Sequence, residues 1–305
     1  MIPTLLLYKI LQLFIAMVFG FILVKCKVLK SDDSTVLSKI SLYILMPAAI
    51  INSFNVELTP EITGGIVLAF LSAIIIHAVL LVLDFLGKKI LHTTSVERAS
   101  IMYSNAANLI IPIVSFVLGD EWVVYSCAFM SVQLVFLWTH GIKLFSDKLN
   151  LKKIVFNVNL ISIAAGAIIM FFGIKLPVFV SDITSSFGSM LGNVGMVIAG
   201  MMAAQIDYKT TFIRPRLYLV LALRMLVYPL ITLGIIKAIM LFVSVPNAES
   251  VLLISYLASI TPSAATVMQF ARLHNTEPEY SAAINIITTV VCVGTMPAFV
   301  ALYGI

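Results

Sequence analysis

Long apolar stretches alternate with short polar connections along the whole chain. Ten such stretches run over about 4–24, 36–54, 64–87, 98–118, 122–145, 155–174, 179–205, 216–243, 249–271 and 281–303. Each approaches the roughly 20 residues that a helix needs to cross hydrocarbon. The connections leave no room for an inserted soluble domain. The pattern predicts an all-α polytopic membrane protein with ten transmembrane helices.

Two stretches break the apolar pattern. The fourth, YSNAANLIIPIVSFVLG over Tyr103 to Gly119, carries Asn105, Asn108 and, in mid-segment, Pro112. Their spacing of i, i+3, i+7 puts them on one helical face. Pro112 lacks a backbone donor and crowds the preceding turn, so the helix is expected to break there. In hydrocarbon such backbone is tolerated only when buried in protein or lining a wet cavity. The ninth stretch, ASITPSAATVMQFARLHN, is interrupted at Pro262, with Thr261, Ser263, Thr266 and Gln269 around it.

Segments four and nine occupy matching places in two halves of five, residues 1–150 and 151–305. Five crossings invert the second half relative to the first. Proline-interrupted segments at corresponding positions point to the binding site of an inverted-repeat transporter. Helices 4 and 9 are thus expected to cross at their prolines at mid-membrane. Amides, hydroxyls and the N-terminal ends of the half-helices suit an anion. Gln133 in segment five and Asn285 in segment ten, followed by Thr288 and Thr289, either line the same cavity or bond helix to helix.

Charge orients the chain. Lys25, Lys27 and Lys30 follow segment one; Lys88, Lys89 and Arg98 follow segment three. Lys143, Lys148, Lys152 and Lys153 follow segment five, Lys209, Arg214 and Arg216 segment seven, and Arg272 segment nine. The alternate loops hold Glu57 and Glu61, Asp120 and Glu121, Lys175 with Asp182, and Glu249. Basic and non-basic loops alternate, which predicts both termini on the outer side. The apolar start shows no small-x-small cleavage pattern before Cys26 and is read as a span, not a signal peptide.

Composition agrees. The chain is 61% hydrophobic and 11% charged, against about 25% charged in a soluble domain. The net charge of +5 comes without a basic arm or basic-aromatic patch, so nucleic acid is not an expected partner. Cys26, Cys127 and Cys292 are scattered without metal-like spacing, so neither metal nor cofactor is expected. With no H-E-x-x-H, no Gly-x-Ser-x-Gly in a suitable context and no His/Asp/Glu cluster, an enzyme is not indicated.

A few polar residues allow two readings. Asp84 is a carboxylate inside the third apolar stretch; it either snorkels beside Lys88 or serves a proton or gating role. Arg224 pairs with Asp84, meets a lipid phosphate, or balances a substrate carboxylate. Lys237 and His140 are read as snorkelling. Gly188, Gly192 and Gly195, beside Ser185, Ser189 and Asn193, mark a tightly packed interface on helix seven. No acidic pair at mid-membrane is expected, which argues against proton coupling; a sodium site of neutral oxygens stays open.

The stretch NAANLIIP resembles the Asn-x-Gly-(Phe/Asn)-x-Gly-x-Pro pattern of the auxin efflux carrier family, the plant PIN-like carriers and their bacterial relatives. Asn105 and Pro112 fall in register, with Ala107 and Ile110 where the family has glycines. LYILMPAAIINSF with Pro47 is similar to the family's second helix and GNVGMVIAGMMAAQ to its seventh. PSAATVMQFARLHNTEPEYSAAINIITTVVCVGTMP resembles its last two. The resemblance covers essentially the whole chain. It implies two inverted five-helix repeats, with a scaffold of helices 1, 2, 6 and 7 and a transport domain of helices 3, 4, 5, 8, 9 and 10. It further implies a small organic anion as substrate (malonate, malate or an auxin-like carboxylate), membrane lipid around the chain and a homodimer through the scaffold. A bacterial-type member would sit in the cytoplasmic membrane. The alternatives kept open are a sodium- or proton-coupled symporter of similar fold and a channel.

Overall fold

The computed structural model describes residues 2–146 and 156–304. Lys148, Lys152, Lys153 and the boundary between the two halves lie outside the described residues. Those residues form helices and no strands. In chain order the principal helices are α1 (Ile2–Lys25), α2 (Ser31–Ser53), α3 (Pro60–Ile90) and α4 (Ser95–Met102). They continue with α5 (Ala106–Val117), α6 (Asp120–Gly141), α7 (Val158–Phe171), α8 (Val178–Ala203) and α9 (Pro215–Met240), and end with α10 (Ala248–Ile260), α11 (Ala265–Leu273) and α12 (Pro278–Tyr303).

Seven of these, α1, α2, α3, α6, α8, α9 and α12, are long and apolar enough to cross a membrane. The other three predicted stretches contain shorter apolar helices. Two of them are split in two, α4 with α5 and α10 with α11. A count of ten crossings therefore does not follow from helix length alone.

Local chemistry sets the helix starts. Thr59 caps α3 by accepting the Ile62 N–H at 3.2 Å, with Pro60 in the first turn. Thr94 and Glu97 form a reciprocal capping box at the start of α4: the Glu97 carboxylate accepts the Thr94 N–H at 2.9 Å. Three long helices contain a π turn, at Ser41–Leu45, Leu137–Gly141 and Leu223–Val227. Two of these stand just before Pro47 and Pro229. A proline leaves the carbonyl four residues back without its donor, and a wider turn accommodates the gap.

α10 lies at the centre. Every residue from Val251 to Ile260 is buried, as expected of a helix that is apolar all round. It packs on α3, α5, α6 and α9. α1 packs along α8, α8 also touches α2, and α2 touches α7. α1 and α8 approach closest where Gly20 faces the Val197 carbonyl and Gly200 the Met17 carbonyl, so close that a methyl on either glycine would overlap backbone. Two of the three glycines expected to mark tight packing do so within the chain: Gly188 meets Ala49 of α2, and Gly192 meets Pro112 of α5 and Leu13 of α1, whereas Gly195 has only ordinary contact with Asn108. Ser185, Ser189 and Asn193 stay exposed. The outer surface carries large apolar side chains such as Phe19, Phe70, Phe85 and Phe171.

Candidate functional site

The two interruptions are the centre of the site. The first spans Tyr103–Asn105 between α4 and α5; the second spans Thr261–Ala264 between α10 and α11. They run antiparallel, with Ser104 bridged to Ser263. The Asn105 N–H donates to the Pro262 carbonyl at 2.7 Å, and the Ala264 N–H to the Tyr103 carbonyl at 3.0 Å. Backbone groups freed by one break thus satisfy those freed by the other, the condition for leaving helix inside a membrane protein.

The break expected at Pro112 lies seven to nine residues earlier. Pro112 itself is inside α5. Its ring rests against Gly192 of α8, and the helix runs through it. Proline costs one ladder bond and leaves the Asn108 carbonyl without its helical donor, yet α5 continues through it.

Each break is held by an amide from the second helix after it. Gln133 of α6 donates from Nε2 to the Ser104 carbonyl at 2.8 Å and accepts from the Ser104 hydroxyl. Asn285 of α12 donates from Nδ2 to the Ser263 carbonyl at 2.5 Å, while the Thr288 hydroxyl accepts the Ser263 N–H at 3.2 Å. Gln133 and Asn285 therefore stand as equivalent supports, their NH2 groups engaged with backbone. Thr289 bonds the carbonyl of Asn285 at 2.7 Å.

Other candidates keep more freedom. The Asn105 Oδ1 accepts from Asn108 Nδ2 at 3.0 Å, so the two amides face each other one turn apart at the start of α5. Asn105 is almost buried and Asn108 half-buried. Thr261 is fully buried, its hydroxyl donating to the Ala258 carbonyl at 3.2 Å. Ser263 Oγ is buried without a hydrogen-bond partner. Thr266, in the first turn of α11, is half-buried. Beside Pro262 a narrow, mostly apolar gap of about 10 Å³ lies among Ile10, Leu109, Met196, Thr289 and Cys292. That is room for a water molecule at most, so this conformation holds no open substrate chamber there.

Two buried charges, Asp84 and Arg224, have partners other than those read from the sequence, and a third, Glu97, was not singled out there. Asp84 pairs with Arg98 of α4, through Nε at 3.0 Å and Nη2 at 2.5 Å, and lies 3.3 Å from His140 Nε2. It does not pair with Lys88 or Arg224. His140 Nδ1 meets the Tyr103 hydroxyl at 2.9 Å, which links this cluster to the first break. Arg224 bonds backbone carbonyls alone. Lys237 ends on the Tyr303 carbonyl at 2.6 Å, over that tyrosine's ring. Asp84 and Arg98 also edge a mostly apolar cavity of about 230 Å³ between α3, α4 and α9.

Glu97, 1% exposed, accepts from Arg216 Nε at 2.9 Å and Nη2 at 2.5 Å, and from the Tyr280 hydroxyl at 3.1 Å. Arg216 also donates to the carbonyls of Leu91 and His92. This clamp ties α4 to α9 and α12. Removing only the arginine strands a buried carboxylate, which costs more than removing both charges. Arg216→Ala is therefore expected to lose about 2 kcal/mol, a fall of ~5 °C in melting temperature. The pair Glu97→Gln with Arg216→Ala should melt higher than that single variant. A double variant melting lower would show that the Glu97 carboxylate is worth more to the Thr94 cap and the Tyr280 hydroxyl than it costs when left without the arginine.

Several apolar helices long enough to span a bilayer mark an integral membrane protein. The family model described as membrane transport protein matches residues 5–154 and 147–300. The chain belongs to this family, that of the auxin efflux, PIN-like carriers, as its motifs suggested. No curated protein matches it at a significant level.

Proposed function

We propose that the protein is a secondary carrier that moves a small organic anion across the membrane by alternating access, its site formed where the two interrupted segments meet. The observation that carries this is the antiparallel bridge Ser104–Ser263. It brings the N-terminal ends of α5 and α11 to one place, together with Asn105, Asn108, Ser263 and Thr266. Helix N-termini favour negative charge, and amide NH2 groups and hydroxyls can donate to a carboxylate.

The same reading takes α4–α5 and α10–α11 as single interrupted spans, giving ten crossings with both termini outside and helices 4 and 9 crossing at mid-membrane. The packing of α1 with α8, and of α2 with α7 and α8, supports a scaffold of helices 1, 2, 6 and 7 against which the remaining six shift. The exposed polar stripe Ser185, Ser189 and Asn193 suits a homodimer contact through that scaffold better than lipid tails. A bacterial cytoplasmic membrane is the setting this implies.

The test is flux of labelled malonate, malate and auxin into proteoliposomes, with membrane potential, sodium and pH gradients imposed separately. Saturable flux that follows potential alone supports an electrogenic carrier; each net charge then gains about 2.3 kcal/mol per 100 mV. A requirement for a sodium or proton gradient would keep the carrier and make it a symporter. Flux that does not saturate would make it a channel.

A further inference from the structure

A helix that stops inside a membrane protein leaves its last four carbonyls without helical donors, and its C-terminal end carries about half a negative charge. Two such ends, those of α4 and α10, meet beside the bridge. Their carbonyls converge on one side chain. Arg224 Nη1 donates to the Ile101 carbonyl at 3.1 Å, and Nη2 to the Ser259 carbonyl at 2.7 Å and to that of Thr261. Arg224 is 1% exposed and is among the largest fully buried side chains of the protein. Its position in the π turn Leu223–Val227 of α9 places a third helix at the crossing.

No carboxylate is among the groups that these donors reach. A buried guanidinium without a carboxylate is costly, and here the negative ends of two helices and three carbonyl dipoles stand in for the counter-charge. Three carbonyl oxygens drawn from two interrupted helices are also the donor set that a small alkali cation takes in a broken-helix transporter. We propose that Arg224 is a resident cation of the crossing. It fills this carbonyl cage permanently, fixes the two half-helix C-termini to each other, and leaves the cage closed to a soluble coupling cation.

A consequence follows for the site. With the negative ends of α4 and α10 occupied by a fixed cation, the positive N-terminal ends of α5 and α11 stay unbalanced. The crossing then has the sign that an anion requires without borrowing a sodium ion. This consequence rests on the carrier reading above; the cage itself does not.

Melting of the full-length protein in nanodiscs tests the cage without any substrate. For the wild type, replacing sodium chloride by choline chloride is expected to leave the melting temperature unchanged. A rise specific to sodium or lithium would overturn the proposal. Arg224→Ala is expected to melt about 10 °C lower. Millimolar guanidinium chloride should restore much of that loss, whereas the wild type should gain nothing from it. An alanine variant as stable as wild type, or one deaf to guanidinium, would show that no cation is needed there.

If Arg224→Ala yields no folded protein, Arg224→Lys and Arg224→Met decide the matter. The lysine variant keeps charge and should melt between wild type and methionine. Methionine melting level with or above lysine would refute a role for the charge. Because no anion enters these measurements, a missing flux in the wild type would leave the cage standing. A failed rescue would in turn leave the carrier reading standing.

Discussion

Asn105→Ala is expected to lower anion flux on the order of 100-fold while leaving expression and melting close to wild type. The two effects separate because Asn105 does two different things. Its backbone N–H makes the bridge bond to the Pro262 carbonyl, at 2.7 Å, and alanine keeps that bond. Its side chain accepts only from Asn108, at 3.0 Å. That contact is a neutral amide pair at a partly open position, worth about 1 kcal/mol to the fold. A hydrogen bond to a charged ligand is stronger, about 1.5–3 kcal/mol, and its loss also frees the Asn108 amide to turn away. Flux in proteoliposomes, normalised to the amount of folded protein, is the measurement. Flux within twofold of wild type would remove Asn105 from the site. Loss of folded protein in step with flux would make the residue structural.

How much of this was legible in the sequence differs between the two breaks. The second was readable because Pro262 lies inside it: a missing donor in an apolar stretch must be compensated. The first was located by the same rule and misplaced by it. Nothing in Tyr103–Ser104–Asn105 forbids a helix. The interruption there is imposed from outside, by Gln133 on the Ser104 carbonyl and by Pro262 on the Asn105 N–H. Pro112, the obvious breaker, is absorbed into α5. Local propensity is a weak prior where tertiary partners can supply the hydrogen bonds.

Charges were legible as topology signals and poorly legible as partners. Arg216 and Arg98 read as loop residues that orient the chain. Both also bind buried carboxylates, Glu97 and Asp84. The partner of Asp84 could have been found: once α3 and α4 are joined by a short turn, Arg98 lies as near to it as Lys88. The partners of Arg224 could not, since carbonyl oxygens belong to every residue and leave no mark in the sequence. The only available signal was the high cost of an arginine in an apolar stretch. Such a residue needs a compensating group, and the candidates considered were carboxylates and phosphates, not helix ends.

The glycines give the second large effect. Glycine is common in membrane helices, and its spacing alone does not say which residue carries a contact. The stripe Gly188, Gly192 and Gly195 drew attention because it repeats, yet the tightest approach is between Gly20 and Gly200. These two act reciprocally: each faces a carbonyl of the opposite helix, Gly20 that of Val197 and Gly200 that of Met17. A side chain could rotate aside; a helical carbonyl held in its own ladder cannot. Gly200→Ala must therefore push α1 from α8 along their length. The expected loss is about 3 kcal/mol or more, and ~10 °C in melting temperature, with a fall in folded yield. Gly234 in α9 is the control, since nothing lies within 4 Å of an added methyl. Gly234→Ala is expected to be neutral or to stabilise by up to about 1 kcal/mol, because alanine is the better helix former. Opposite signs for one and the same substitution, read by melting in nanodiscs, would locate the rigid seam of the protein at the α1–α8 contact. Equal effects at both positions would show that the helices re-space freely, and α1 with α8 could then not serve as the fixed frame against which the interrupted segments move.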